Sequence, residues 1–150
     1  MEQLIFDSGI REYQINGKGV LRFNPSDPNV YARFVDAMDK IKAVESNMGA
    51  KAKALQSQDG QVDGEAVIRI MSETDKQMKA ILNDIFGHGN DFDQILEGVN
   101  LMAVAGNGER VVTNLVSALQ PIMEAGAKAC ADGEVQTAKL NREQRRAMQR

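Results

Sequence analysis

Arg22-Phe23-Asn24-Pro25-Ser26-Asp27-Pro28-Asn29-Val30-Tyr31-Ala32-Arg33-Phe34 is the stretch that decides the fold. Each proline biases the residue before it away from the helical region, and Asp27 is placed to cap a helix whose first turn opens on Pro28. Before this junction the chain alternates like a strand. After it, apolar residues recur at helical spacing. The expected fold class is therefore α-rich (α+β), a short N-terminal β-hairpin packed on a bundle of three to four helices.

Working backwards, Ile10 to Asn16 and Val20 to Phe23 are strand candidates on either side of Gly17-Lys18-Gly19. Asn16-Gly17 is a strong hairpin signal because both residues tolerate positive φ. Leu4-Ile5-Phe6 is a candidate third strand. A two-stranded ribbon is marginal by itself in water, so this one has to lean on a helix.

Working forwards, Phe34, Ile41, Met48 and Leu55 are seven apart from Pro28 to about Gln56, with Val30, Ala37 and Val44 between them. That is a heptad pattern, broken where Lys51 takes the next seam position. Gly49 costs a helix about 1 kcal/mol relative to Ala, so a bend or early end is expected there. Ser57 to Gly64 is a polar turn cluster with two Asp-Gly steps. A second helix is expected from Glu65 to Phe86, burying Val67, Met71, Thr74, Met78, Ile81 and Ile85, with Ile68, Ile70, Leu82 and Phe86 widening the face. Gly87-His88-Gly89-Asn90 ends it, and Asp91 can cap a third helix, Phe92 to Ala105, burying Phe92, Ile95, Leu96, Val99 and Met102. Gly106-Asn107-Gly108 breaks that helix. The last long helix is expected from Glu109 to about Ala131, with a kink or restart at Pro121, which removes a backbone hydrogen bond. This divides the chain into one domain over residues 1–138 (β-ribbon 1–24, helical bundle 28–133) and a basic tip over 139–150.

Composition narrows the function classes. Aromatic residues make up 5% of the chain, Trp is absent, and there are 8 Met, so aliphatic and Met side chains must fill the core. Charge is uneven: the net value is −3, yet Lys139, Arg142, Arg145, Arg146 and Arg150 face only Glu143 after residue 138. The body is thus acidic, which speaks against nucleic-acid binding over its whole surface. The single Cys130 cannot form an intrachain disulfide. No apolar run approaches the roughly 18 residues of a membrane span, and the opening MEQLIFDSGI lacks the features of a signal peptide. A cytoplasmic protein with no membrane association is expected.

Candidate chemistry is sparse. His88 with Asp84, Asp91 and Asp93 would make a poor metal site, because such sites want several His or Cys ligands and this chain has one of each. Asp59, Asp63 and Glu65, with Gly60 and Gly64, lack the ligand alternation and closing Glu of a calcium loop. Gly106-Asn107-Gly108-Glu109-Arg110 precedes a helix start but has no phosphate-loop Lys or Ser/Thr, and Glu109 would repel an anion. Cys130 is expected near a helix C-terminus, where the dipole disfavours a thiolate. Asp36/Asp39 and Asp91/Asp93 read as solvated faces. No catalytic, cofactor or metal site is expected, and the protein reads as a non-enzyme. The tip Leu140 to Arg150 can form an amphipathic basic helix with Leu140, Ala147 and Met148 on one side, suited to an acidic partner face or to weak, salt-sensitive nucleic-acid contact.

Tyr13-Gln14-Ile15-Asn16-Gly17, Phe23-Asn24-Pro25-Ser26-Asp27 and Val30-Tyr31-Ala32-Arg33-Phe34 occur in an order that resembles the small tail assembly chaperones of long-tailed bacteriophages and their prophages. Asn141-Arg142-Glu143-Gln144-Arg145-Arg146 is also similar to an ending common among phage-encoded proteins. The resemblance implies a helper in the bacterial cytoplasm that coats the tape-measure protein, a long apolar helical chain, and keeps it soluble during tail assembly. The tail-tube protein is a second candidate partner, and self-association is compatible with this role. The resemblance transfers no binding residue. Two other readings stay open: a structural or adaptor protein of the particle or of a coiled-coil assembly, resting on the heptad at Phe34, Ile41, Met48 and Leu55, and a nucleic-acid-binding regulator, resting on the basic tip.

Overall fold

The computed structural model describes residues 1–56, 60–87 and 89–148. At the junction, Asn24 Oδ1 accepts from the Ser26 N–H at 2.9 Å and Asp27 Oδ1 accepts from the Asn29 N–H at 2.9 Å. Pro28 is the first residue of α1 (Pro28–Ala54). Upstream, β1 (Arg11–Ile15) and β2 (Gly19–Phe23) pair antiparallel with Tyr13 opposite Leu21. Asn16 and Gly17 both take positive φ, 51° and 80°, as the turn requires. Leu21 and Phe23 turn into the core, while Val20 is left exposed. Leu4, Ile5 and Phe6 form no third strand. They stand exposed.

α1 packs chiefly on α2 (Gly64–Phe86). Val30, Phe34, Ala37, Ile41 and Met48 are buried, so the heptad stripe is consumed inside the chain, and α1 runs through Gly49 to Ala54. Asp63 caps α2 by accepting from the Ala66 N–H at 3.2 Å. The buried face of α2 is rotated slightly from the expected one: Thr74, Met78, Leu82, Ile85 and Phe86 are inside, Ile81 is half-buried, and Ile68 is exposed. Asp75 and Lys79 are buried on the same face, which apolar periodicity alone cannot reveal.

The expected helix over 92–105 is corrected to one turn, α3 (Phe92–Ile95). Glu97 and Gly98 both enter the left-handed region (φ 54° and 77°), and the Gly98 N–H closes back on the Asp93 carbonyl at 2.8 Å. That geometry terminates a helix. The following residues wind through turns that bury Leu101 and Met102 and leave Val99 exposed instead of buried.

The last helix, α4 (Val111–Met148), is longer than expected and continuous through Pro121. Proline cannot donate to the Ser117 carbonyl, but both residues are exposed, so water can satisfy that group. The helix also passes the expected end near 131, with Thr137 Oγ1 donating to the Gly133 carbonyl at 3.0 Å, and strong helix formers carry it to Met148.

Two close approaches lock these parts together. Gly126 of α4 lies against the Pro25 carbonyl, and Gly19 of β2 lies against the Ile95 carbonyl; a methyl group at either position would collide with backbone. Tyr13, Phe23, Phe86 and Phe92 form a chain of ring contacts with centroids 5.1, 4.7 and 5.6 Å apart, tying the ribbon to the end of α2 and to α3. Met48, Met78, Met102 and Met123 lie in the core, so the methionines serve interior packing more than a binding surface.

Candidate functional site

The residues considered for chemistry are mostly occupied with structure. Asp91 Oδ1 accepts from the Asp93 N–H at 3.0 Å and so starts α3, and Asp93 pairs with Lys79 at 2.6 Å. Asp84 is exposed on α2, and His88 lies outside the described residues. Among the described residues, no group of three or more His, Cys, Asp or Glu is arranged to hold a metal ion. Asp63 caps α2 and Glu65 pairs with Arg69 at 2.8 Å, while Asp59 lies outside the described residues. In the 106–110 turn, the Gly108 N–H goes to the Ala105 carbonyl and the Glu109 N–H to Asn107 Oδ1, so these amides hold the turn and not an anion. Cys130 sits half-buried in mid-α4, so it is not at a helix C-terminus.

The strongest buried electrostatics belong to a clamp. Lys79 Nζ lies 2.9 Å from Asp75 and 2.6 Å from Asp93, and Asp75 Oδ1 also accepts from the buried Leu101 N–H at 2.7 Å. Burial by itself would lower the Lys79 pKa, but hydrogen bonds and charge from Asp93 and Asp75 outweigh it and hold the value above its ordinary one. The clamp draws the turns after α3 onto α2. Asn90 does the same for the ribbon: it accepts from the Arg22 N–H at 2.9 Å and donates to the Arg22 carbonyl at 2.8 Å, standing in for a neighbouring strand.

The surface feature best suited to a partner is an apolar groove of about 480 Å³ where the ribbon, the coil after α3 and the start of α4 meet. Ile15 comes from the ribbon, Leu96 and Val99 from the coil, and Val111, Leu115 and Ala118 from α4. Val99 is 46% exposed, which puts an unpaired apolar side chain at its rim. Gln14, Asn16 and Asn114 supply polar edges. On the opposite side of the same α4 turns lies a smaller slot of about 180 Å³, with Met38 and Ile41 of α1 facing Val112 and Val116. The first turns of α4 thus form a ridge between two apolar grooves. Sequence periodicity missed this site because it assigned Val99 to a buried helical face, and nothing in the pattern distinguishes Ala118.

No helix of the described residues is long and apolar enough to cross a membrane. The basic residues Lys139, Arg142, Arg145 and Arg146 are exposed along the far part of α4, and Arg150 lies outside the described residues. No known protein-family model, curated protein or solved structure matches the chain.

Proposed function

We propose that the protein is a tail assembly chaperone that works in the bacterial cytoplasm and binds apolar helical segments of a long partner chain, the tape-measure protein of a phage or prophage. The observation that carries this reading is the groove at Ile15, Leu96, Val99, Val111, Leu115 and Ala118. A helix laid in such a groove with apolar residues at i, i+3, i+4 and i+7 buries its stripe without any specific polar pairing. That suits a partner whose sequence varies along its length, because apolar burial is non-directional. The junction at Phe23-Asn24-Pro25-Ser26-Asp27 and the ribbon before it support the same reading through the resemblance already described. The acidic body would keep a crowded coat soluble by mutual repulsion.

On this reading the protein is not an enzyme. The adaptor alternative is weakened because the stripe at Phe34, Ile41 and Met48 is packed within the fold and unavailable to another coiled coil. Co-expression with the tape-measure protein encoded nearby tests the proposal. The expected result is a more soluble partner and a complex that survives size exclusion at moderate salt. A partner no more soluble than when alone, with no complex, would refute it.

A further inference from the structure

The ribbon has two edges, and only one is covered. On β2, the Asn90 side chain bonds both the N–H and the carbonyl of Arg22, and Gly19 lies against the Ile95 carbonyl. The Arg22 backbone therefore points away from β1, which makes Glu12 and Arg22 a non-hydrogen-bonded pair of the ladder. Alternation then fixes β1. Glu12 and Gln14, opposite Arg22 and Val20, turn their N–H and carbonyl groups to the outer edge. Among the described residues, no other element hydrogen-bonds those four groups. The groove of about 480 Å³ runs along this edge: the ribbon gives it Gln14, Ile15 and Asn16, and β2 gives it nothing. Leu96 and Leu115 are its buried floor, Val99 and Ala118 stand exposed beside them, and no charged side chain lines it among the described residues.

The same chain carries an unpaired segment of matching character. Gln3-Leu4-Ile5-Phe6 is uncharged, and Leu4, Ile5 and Phe6 are 88, 86 and 74% exposed. Branched and aromatic residues of this kind suit a strand. Its own groove is out of reach. The Ser8 carbonyl accepts from Asn24 Nδ2 at 3.1 Å and Gly9 packs on the Asn24 side chain, which roots the arm at the open end of the ribbon, whereas the groove lies at the Asn16-Gly17 end. Even the tightest reversal, at Ser8-Gly9, sets Leu4 opposite Tyr13 and brings the charged Glu2 to Ile15. The arm of another copy is free of that tether.

We propose that the 2–7 arm of a second copy adds as a parallel strand to the outer edge of β1, with Leu4 beside Tyr13 and Phe6 beside Ile15 at the mouth of the groove. In that register the Gln14 N–H and carbonyl meet the Leu4 carbonyl and the Phe6 N–H, and the Glu12 N–H and carbonyl meet the Glu2 carbonyl and the Leu4 N–H. Glu2 comes beside Arg11, which has no ion-pair partner among the described residues. The antiparallel register with the same inner face sets Asp7 opposite Glu12, where like charges repel. Each copy owns one arm and one edge, so reciprocal exchange closes a two-fold dimer. Two arms with about 300–400 Å² of apolar surface each, and the edges that receive them, bury about 1,200–1,600 Å², the size of a stable interface. The dimer is a property of this chain alone and stands without the tape-measure reading; where both hold, arm and partner helix compete for one groove.

Sedimentation of the full chain without any partner, together with amide hydrogen exchange, tests it, and circular dichroism confirms that each variant is folded. The parent should pass from monomer to dimer between about 1 and 100 μM. Over that range exchange of the Glu12 and Gln14 amides should slow by at least about tenfold. Leu4→Asp/Phe6→Asp on the arm and Val99→Asp in the groove should each weaken dimerisation by about tenfold or more. Ile68→Asp, at an exposed position on α2 outside the groove, should leave it unchanged. A parent that stays monomeric to about 100 μM would overturn the proposal. So would a dimer indifferent to the arm and groove variants, or one lost equally in Ile68→Asp. Glu12 and Gln14 amides already protected in the monomer would overturn it as well, since they would mark an arm folded back on its own ribbon.

Discussion

Replacing Asp75 with Ala should be among the most damaging single changes outside the apolar core. Its carboxylate serves the Leu101 N–H at 2.7 Å and Lys79 Nζ at 2.9 Å in a region where its own side chain is 12% exposed. Removing it orphans a buried amide, costing about 1–3 kcal/mol. It also leaves Lys79, whose side chain is 6% exposed, with Asp93 alone, a partner that is itself 63% exposed. Breaking a buried pair in this way adds about 2 kcal/mol, giving about 3–5 kcal/mol in all. Asp75→Asn keeps an oxygen for Leu101 but turns an amide NH2 toward the Lys79 ammonium in place of Oδ2, so it should cost about 1.5–3 kcal/mol, less than Asp75→Ala. Asp93→Ala removes a mostly solvated partner and should cost about 1 kcal/mol or less. Urea unfolding at pH 7, with equal m-values across the set, provides the measurement. If Asp75→Ala proved no worse than Asp93→Ala, the clamp would not be what holds the 96–103 turns on α2.

Gly126→Ala should cost about 1–3 kcal/mol because the added methyl meets the Pro25 backbone, whereas Gly133→Ala, in open space on an exposed helix, should stabilise by about 0.5–1 kcal/mol; thermal denaturation of the two distinguishes them. Ile41→Ala should cost about 2–5 kcal/mol and Ile81→Ala clearly less, since Ile41 is buried and Ile81 half-buried. The Lys79 pKa is raised in the folded state, so its stabilising contribution is complete below the ordinary lysine value and is lost as pH rises through the raised one. Unfolding free energy should therefore drop more steeply above about pH 10.5 in the parent than in Lys79→Met, and parallel curves would contradict the assignment.

Elements carried by local chemistry were legible in the sequence. The hairpin turn at Asn16-Gly17, the cap at Asp27-Pro28 and the two long helices Pro28–Ala54 and Gly64–Phe86 all follow from residues within a few positions of one another, while the turn expected from Ser57 falls partly outside the described residues. What failed were features decided at long range. The helix after Phe92 had a convincing apolar period, yet Glu97-Gly98 turned left-handed and the carboxylate of Asp75, on α2, captured the Leu101 amide. Gly126 carries no local signal, because what fixes it is the Pro25 carbonyl it admits, a residue about a hundred positions away. From the sequence a kink or restart is expected at Pro121 and an end near Ala131, but exposed positions let the helix run on through both. The candidate groove was invisible for the same reason: Ile15, Val99 and Ala118 come from three separate elements, and no linear pattern joins them.

The central claim is that the groove beside α4 receives an apolar helix of the tape-measure protein. The most direct test compares the soluble yield of that partner when co-expressed with the parent and with Val99→Asp. Val99 is exposed at the groove rim, so the substitution should leave stability within about 0.5 kcal/mol while placing a charge where an apolar stripe must lie. The parent should keep the partner soluble in a complex that tolerates moderate salt, and Val99→Asp should lose at least about tenfold in affinity. A variant that solubilises the partner as well as the parent does would contradict the account.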